Sequence, residues 1–232
     1  MIQIRSPQYD DFCSFVELYK SSIILLTETW WTPALPDELG SPENYSLFRN
    51  DLKGGWVCMY FSKYAVSNFH VTPLSFDKCG IEALFPKLSN GYVTFVLGYV
   101  HKSPSSSIDK ILVDFIMNVS TYEKSFIFGD FNMPDIWWPL DTGQSYKASS
   151  QLLVELLINS HLNQLVLKPT RYRPNQTPSL LNLLISSDDN SLVNLDYLNP
   201  IDKSDHVTLK IDLQISFKPY LRTVSITKTY CH

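Results

Sequence analysis

Apolar residues recur along this chain at two spacings. Phe12, Phe15, Val16 and Tyr19 stand at i, i+3, i+4 and i+7, one face of a helix, so residues 8–20 are predicted helical. The stripe returns at Ile108, Ile111, Leu112, Phe115, Ile116 and Val119, and Leu152, Leu153, Leu156 and Leu157 mark a third helix. Between them lie short apolar or alternating runs that predict strands: 22–27, 45–49, 56–61, 64–70, 81–85, 93–101, 125–128 and 180–185. Pro33 and Pro36 force a loop after the first of these. In the last clear strand Val207, Leu209, Ile211 and Leu213 alternate with Thr208, Lys210 and Asp212, the two-residue period of a sheet with one wet face. Beyond about residue 216 the alternation is lost.

Strands interleaved with helices imply an α+β fold, two packed sheets with helices outside. No linker divides the sequence, so the expectation is one domain over 1–216 and a C-terminal tail over 217–232. A 44% hydrophobic, aromatic-rich composition excludes a disordered polyelectrolyte. The longest apolar run, Ile23 to Leu26, is far short of the ~20 residues a membrane span needs. A net charge of −4 argues against a nucleic-acid coat protein, but not against an enzyme that touches a few phosphates. No secretory signal is visible, and the four scattered cysteines lack zinc-ligand spacing, which favours an intracellular protein with reduced thiols.

Three acidic clusters stand at strand ends. Glu28 closes the Ile-Ile-Leu-Leu-Thr run, Asp130 and Asn132 follow Phe-Ile-Phe-Gly, and Asp205-His206 opens the final strand. Carboxylates delivered to one rim repel one another and stay ionised when a cation neutralises them. Oxygen ligands of this kind suit Mg²⁺ or Mn²⁺. Each acid taken singly is more often a turn former or a solvated cap; the inference rests on the three together.

Leu-Thr-Glu-Thr-Trp at 26–30, Gly-Asp-Phe-Asn at 129–132, Pro-Thr-Arg-Tyr-Arg-Pro at 169–174 and Ser-Asp-His at 204–206 resemble the endonuclease/exonuclease/phosphatase superfamily. The likeness is nearest to the apurinic-like endonuclease domain of non-LTR retrotransposons. It implies a four-layer α/β/β/α sandwich and a Mg²⁺- or Mn²⁺-dependent phosphodiesterase that nicks DNA. The nick would leave a 3′-hydroxyl for a reverse transcriptase domain of the parent element, and a nuclear location follows. By resemblance Glu28 is the principal metal ligand, and Asp205 helps to hold the metal. Asp130 activates or positions the attacking water, Asn132 orients the phosphate and His206 contacts it. Thr170 and Arg171 fall where these enzymes place a DNA-contacting turn.

Three departures from the family pattern stand out. The family's opening strand, which carries an asparagine near the metal, is missing before the first helix; its loss would leave a sheet edge unpaired. A phosphate-contacting tyrosine is replaced by His101. Tyr99 lies on the same strand face but about 6–7 Å away. The aspartate that pairs with the terminal histidine is Asn182 here, which supplies no charge. Two rival readings follow, a degenerate non-catalytic relic of the domain and a phosphatase of the same superfamily. Because no polymerase segment follows residue 232, the expectation is a free-standing fragment or a domesticated copy.

Overall fold

Short apolar runs become interior strands when both of their faces are covered, and long amphipathic ones become the covering helices. The computed structural model describes residues 7–27, 36–49, 57–76, 81–105, 110–121, 124–140, 144–201, 203–217 and 220–230. In chain order the elements are α1 (Pro7–Tyr19), β1 (Ile23–Thr27), α2 (Asp37–Gly40), β2 (Tyr45–Arg49), β3 (Cys58–Ser62) and α3 (Lys63–Asn68). There follow β4 (His70–Leu74), β5 (Ile81–Ser89), β6 (Thr94–Lys102), α4 (Lys110–Val119), β7 (Ser125–Asp130), α5 (Ala148–Asn159), β8 (Asn163–Gln164) and β9 (Asn182–Ser186). The last three are β10 (Leu192–Leu198), β11 (Thr208–Phe217) and β12 (Tyr220–Tyr230).

These elements form two compact units. One is continuous, His70–Ser191; the other joins Met1–Phe69 to Leu192–His232. Each contains a six-stranded mixed sheet, ordered β4-β5-β6-β7-β9-β8 in the continuous unit and β10-β11-β12-β1-β3-β2 in the joined unit.

In the continuous unit the helices lie on one face. Leu112, Ile116 and Val119 of α4 and Leu153, Val154, Leu156 and Leu157 of α5 share a core with Ala83 and Phe85 of β5, Val96 and Val100 of β6, Ile127 of β7, and Leu183 and Ile185 of β9. β4 sits at the edge, where Pro73 can replace a donor without breaking a ladder. In the joined unit Phe12 and Val16 of α1 pack on Ile24 and Leu26 of β1, Cys58 and Tyr60 of β3, and Ile201.

Two departures from the sequence expectations change the picture most. The run 64–70 alternates like a strand, yet the Ser62 side chain accepts the Ala65 N–H at 3.1 Å and nucleates α3 instead, with β4 starting only at His70. The larger correction concerns the expected tail. Residues Tyr220–Tyr230 form β12, which lies between β1 and β11, parallel to the first and antiparallel to the second. β1 is therefore paired on both sides, by β12 and β3. The tail reading failed because β12 buries polar side chains. Thr227 meets the Ser21 hydroxyl at 2.5 Å and Thr229 meets that of Thr208 at 2.7 Å, so hydroxyl pairs stand where apolar residues were sought.

Candidate active site

In the continuous unit, strand register assembles a polar row. Asp130, the last residue of β7, is opposite His101 of β6 on one side and Asn182 of β9 on the other. His101 in turn is opposite Glu82 of β5. Ile127, Val100 and Leu183 face the helices, so alternation turns Asp130, His101 and Asn182 to the opposite face of the sheet. Glu82, flanked by the core residues Ile81 and Ala83, belongs to the same row. Glu82, His101, Asp130 and Asn182 thus run laterally across four strands at one end of the sheet.

The row is held from several directions. Glu82 Oε2 lies 3.1 Å from His101 Nδ1, which fixes the rotation of the imidazole. Asp130 Oδ1 accepts the Asn132 backbone N–H at 3.0 Å, an Asx turn that sets the carboxylate's orientation. Asn132 adopts a left-handed φ of 48°, a region asparagine tolerates, and its Nδ2 donates to the Lys102 carbonyl at 2.8 Å. Gly129 is required by close approach: a Cβ there would fall 2.2 Å from the Val100 carbonyl oxygen. Gly-Asp-Phe-Asn is therefore a strand end with no room beside it, followed by a turn that its own aspartate organises.

Lys102 is buried, and its Nζ donates to the Ser103 carbonyl at 3.0 Å. Burial pushes its pKa below the usual lysine value, against the pull of Asp130 and Asp135. Thr170, expected at a DNA-contacting turn, is itself buried. Its Oγ1 accepts the backbone N–H groups of Leu181 at 3.1 Å and Asn182 at 3.0 Å. Arg171 and Ser179 exchange backbone bonds of 3.0 and 3.1 Å, and residues 172–178 between them are exposed. Of the Trp137-Trp138 pair, Trp138 packs against the helix core and Trp137 is 71% exposed.

In the joined unit, Ser204 Oγ accepts the His206 N–H at 3.1 Å, and Asp205 Oδ1 lies 3.6 Å from His206 Nε2. The His206 ring stacks on Tyr230 of β12, with centroids 4.2 Å apart and planes at 33°. Lys228 Nζ donates to Tyr230 Oη at 2.9 Å. Glu28, the expected principal metal ligand, lies outside the described residues; in the chain it follows Thr27, whose buried Oγ1 has no hydrogen-bond partner among the described residues.

Of the residues singled out from sequence, the structure brings His101, Asp130, Asn132, Asn182 and Thr170 together in the continuous unit, and Asp205 with His206 in the joined one. Sequence reasoning missed Glu82, Lys228 and Tyr230. Glu82 is identified only by the strand register that sets it beside His101, and nothing local in the sequence marks the other two.

Among the described residues no group of three His, Cys, Asp or Glu side chains could hold an ion. Mg²⁺ keeps several waters and takes as few as one or two carboxylates, and Glu28 and Asp205 are donors of the chemical type it takes. The Thr27 hydroxyl, without a hydrogen-bond partner among the described residues, is a further oxygen of the right kind.

No curated protein sequence matches this chain. A family model described as endonuclease-reverse transcriptase matches residues 93–210, just over half of it. The chain belongs to that family. Within the endonuclease-reverse transcriptase match lie His101, Asp130, Asn132, Thr170, Arg171, Asn182, Asp205 and His206; Glu28, Glu82, Lys228 and Tyr230 stand outside it. Among solved structures, the endonuclease domain of TRAS1, a telomere-specific non-LTR retrotransposon, is similar at TM-score 0.67 and 14% identity, covering 92% of this chain and 95% of that one. The 3′ phosphatase NExo from Neisseria, bound to a product DNA hairpin, gives 0.64 at 11% identity, covering 90% and 95%. An AP endonuclease from Archaeoglobus fulgidus gives 0.61 at 11%, covering 89% and 94%. At these identities the likeness shows the fold of this family member: α+β, two mixed sheets with flanking helices.

Proposed function

We propose that this endonuclease-reverse transcriptase family member is a divalent-metal-dependent phosphodiesterase that nicks DNA and leaves a 3′-hydroxyl able to prime reverse transcription. The observation that carries the reading is the row Glu82–His101–Asp130–Asn182, with Asn132 held at its edge. The nature of its structural relatives supports it: two are endonucleases and one is a DNA-bound phosphatase.

Hydrolysis of a phosphodiester adds a water oxygen to phosphorus and breaks the P–O3′ bond, with the proton from water ending on the 3′-oxygen. In this reading Asp130, its carboxylate oriented by the Asn132 amide, accepts hydrogen from the water or aligns it. His101 stands where the resemblance expects a tyrosine. Held by Glu82, its imidazole donates to a phosphate oxygen, so the replacement keeps a hydrogen-bond donor at that place. Asn132 directs one N–H to Lys102 and offers the other to the phosphate. By the resemblance Glu28 and Asp205 would hold a Mg²⁺ or Mn²⁺, which would supply positive charge to the phosphate oxygens. His206 donates to the phosphate. Asn182 holds its place in the row without contributing charge.

The test is conversion of supercoiled plasmid to open circle in Mg²⁺. The unaltered chain should nick, and Asp130→Ala and Glu28→Ala should each slow turnover by about 10²–10⁴. Equal background nicking by all three would replace this reading with that of a non-catalytic relic.

A further inference from the structure

β12 carries an anomaly that sheet building does not explain. Val224, Ile226, Lys228 and Tyr230 alternate along one of its faces. The register sets Lys228 between Leu25 of β1 and Leu209 of β11, both fully buried. An interior strand that only had to fill this slot would carry a third aliphatic residue after Val224 and Ile226. It carries instead an ammonium that is 1% exposed, and desolvating such a charge is costly unless the surroundings compensate it. Among its partners is the tyrosine two residues on in the same strand: Nζ donates to Tyr230 Oη at 2.9 Å and lies 4.8 Å from the centroid of the same ring. Tyr230 is 1% exposed and carries the His206 imidazole on its face. His206 is the side chain to which the functional reading gives a phosphate contact.

We propose that Tyr230 and Lys228 are positioning residues of that reaction. The Tyr230 ring is the shelf that sets the plane of the His206 imidazole, and Lys228, gripping the phenol oxygen, locks the shelf in one rotamer. The strand expected to be a C-terminal tail is in this view part of the reactive machinery. An imidazole that must present one N–H to a phosphate oxygen needs a fixed ring plane, and stacking fixes a plane where a single hydrogen bond leaves it free to rotate. This inference rests on the reading of His206 as a phosphate-contacting group.

The experiment combines nicking kinetics with the NMR signals of the histidine ring protons in the full chain, His206 being assigned through His206→Ala. In the unaltered chain the ring current of Tyr230 should shift the His206 signals away from those of an unstacked imidazole. Tyr230→Leu should abolish that shift and lower kcat about ten- to a hundredfold with KM within about threefold. Tyr230→Phe, which keeps the ring, should restore the shift and most of kcat. Lys228→Met should retain the shift but broaden it, with a smaller loss of kcat. In a His206→Ala background Tyr230→Leu should cause no further loss, since both act through one group. Losses that multiply in the double variant, or an unshifted His206 signal in the unaltered chain, would overturn the positioning role while leaving the nuclease reading intact. A shifted His206 signal in a chain that does not nick would overturn the nuclease reading itself, and the positioning role with it.

Discussion

The two sheets are equal in strand number and opposite in how they are built. The continuous unit takes its six strands from one stretch of chain, and neighbours in the sheet are mostly neighbours in sequence. The joined unit closes only when β1 and β12 pair, with Ile23 opposite Ile226 and Thr27 opposite Tyr230. Candidate chemistry follows the same division. In the continuous unit part of it comes as a compact motif whose internal bond is local, Asp130 to Asn132, though Glu82 joins His101 only through strand register. In the joined unit His206 owes its setting partly to a residue of a different strand, Tyr230. Short-range assembly leaves a sequence signature, whereas long-range assembly is visible only in register.

That contrast can be strained most by ending the chain after Phe217. β1 would then keep β3 alone and β11 would keep β10 alone. Hydrogen exchange should report loss of protection along the whole of β1 and β11; retained protection there would show that β12 is an accessory. Next in size is a matched pair of core truncations, Ile226→Ala in the joined unit and Ile127→Ala in the continuous one. Both side chains are fully buried. Each should cost about 2–5 kcal/mol by chemical denaturation, because the equilibrium cost follows burial and not the sequence separation of the contacts.

A smaller effect is expected from Thr170→Val, which keeps shape but leaves the Leu181 and Asn182 amides without their acceptor. The expected loss is about 1–3 kcal/mol, with accelerated exchange at those two amides as the specific sign. The smallest concerns Asp188. Burial raises its pKa, but hydrogen bonds from Lys124 and Ser191 and the Lys124 charge outweigh burial and hold it below the ordinary 3.8. A carboxylate with a depressed folded value stabilises above its unfolded value and loses that stabilisation as pH falls through the folded one. Stability should therefore decline with acid below about pH 3.8, and Lys124→Met should flatten the decline while costing about 1 kcal/mol at neutral pH.

Much of the continuous unit was legible in the sequence. The stripe at Leu112, Ile116 and Val119 does face a core, and the apolar run before Gly129 does end at Asp130. Glu82 was not legible, because its meaning depends on which strand lies beside β5 and in what register. In the joined unit α1 and β1 were read close to their observed limits. β10 was missed because it is the sheet's edge strand and its burial is only partial. β12 was missed because a buried lysine and a face of paired hydroxyls imitate solvent-exposed polarity.

The Thr170 hydroxyl also bears on how this protein can vary. One oxygen clamps two successive amides at the foot of an arm whose tip, residues 172–178, points into water. Substitutions at the tip alter what the arm meets without disturbing the foot, and the foot is fastened to the amide of Asn182. A lineage can therefore rewrite its outward preferences there one codon at a time while the inner row keeps its shape.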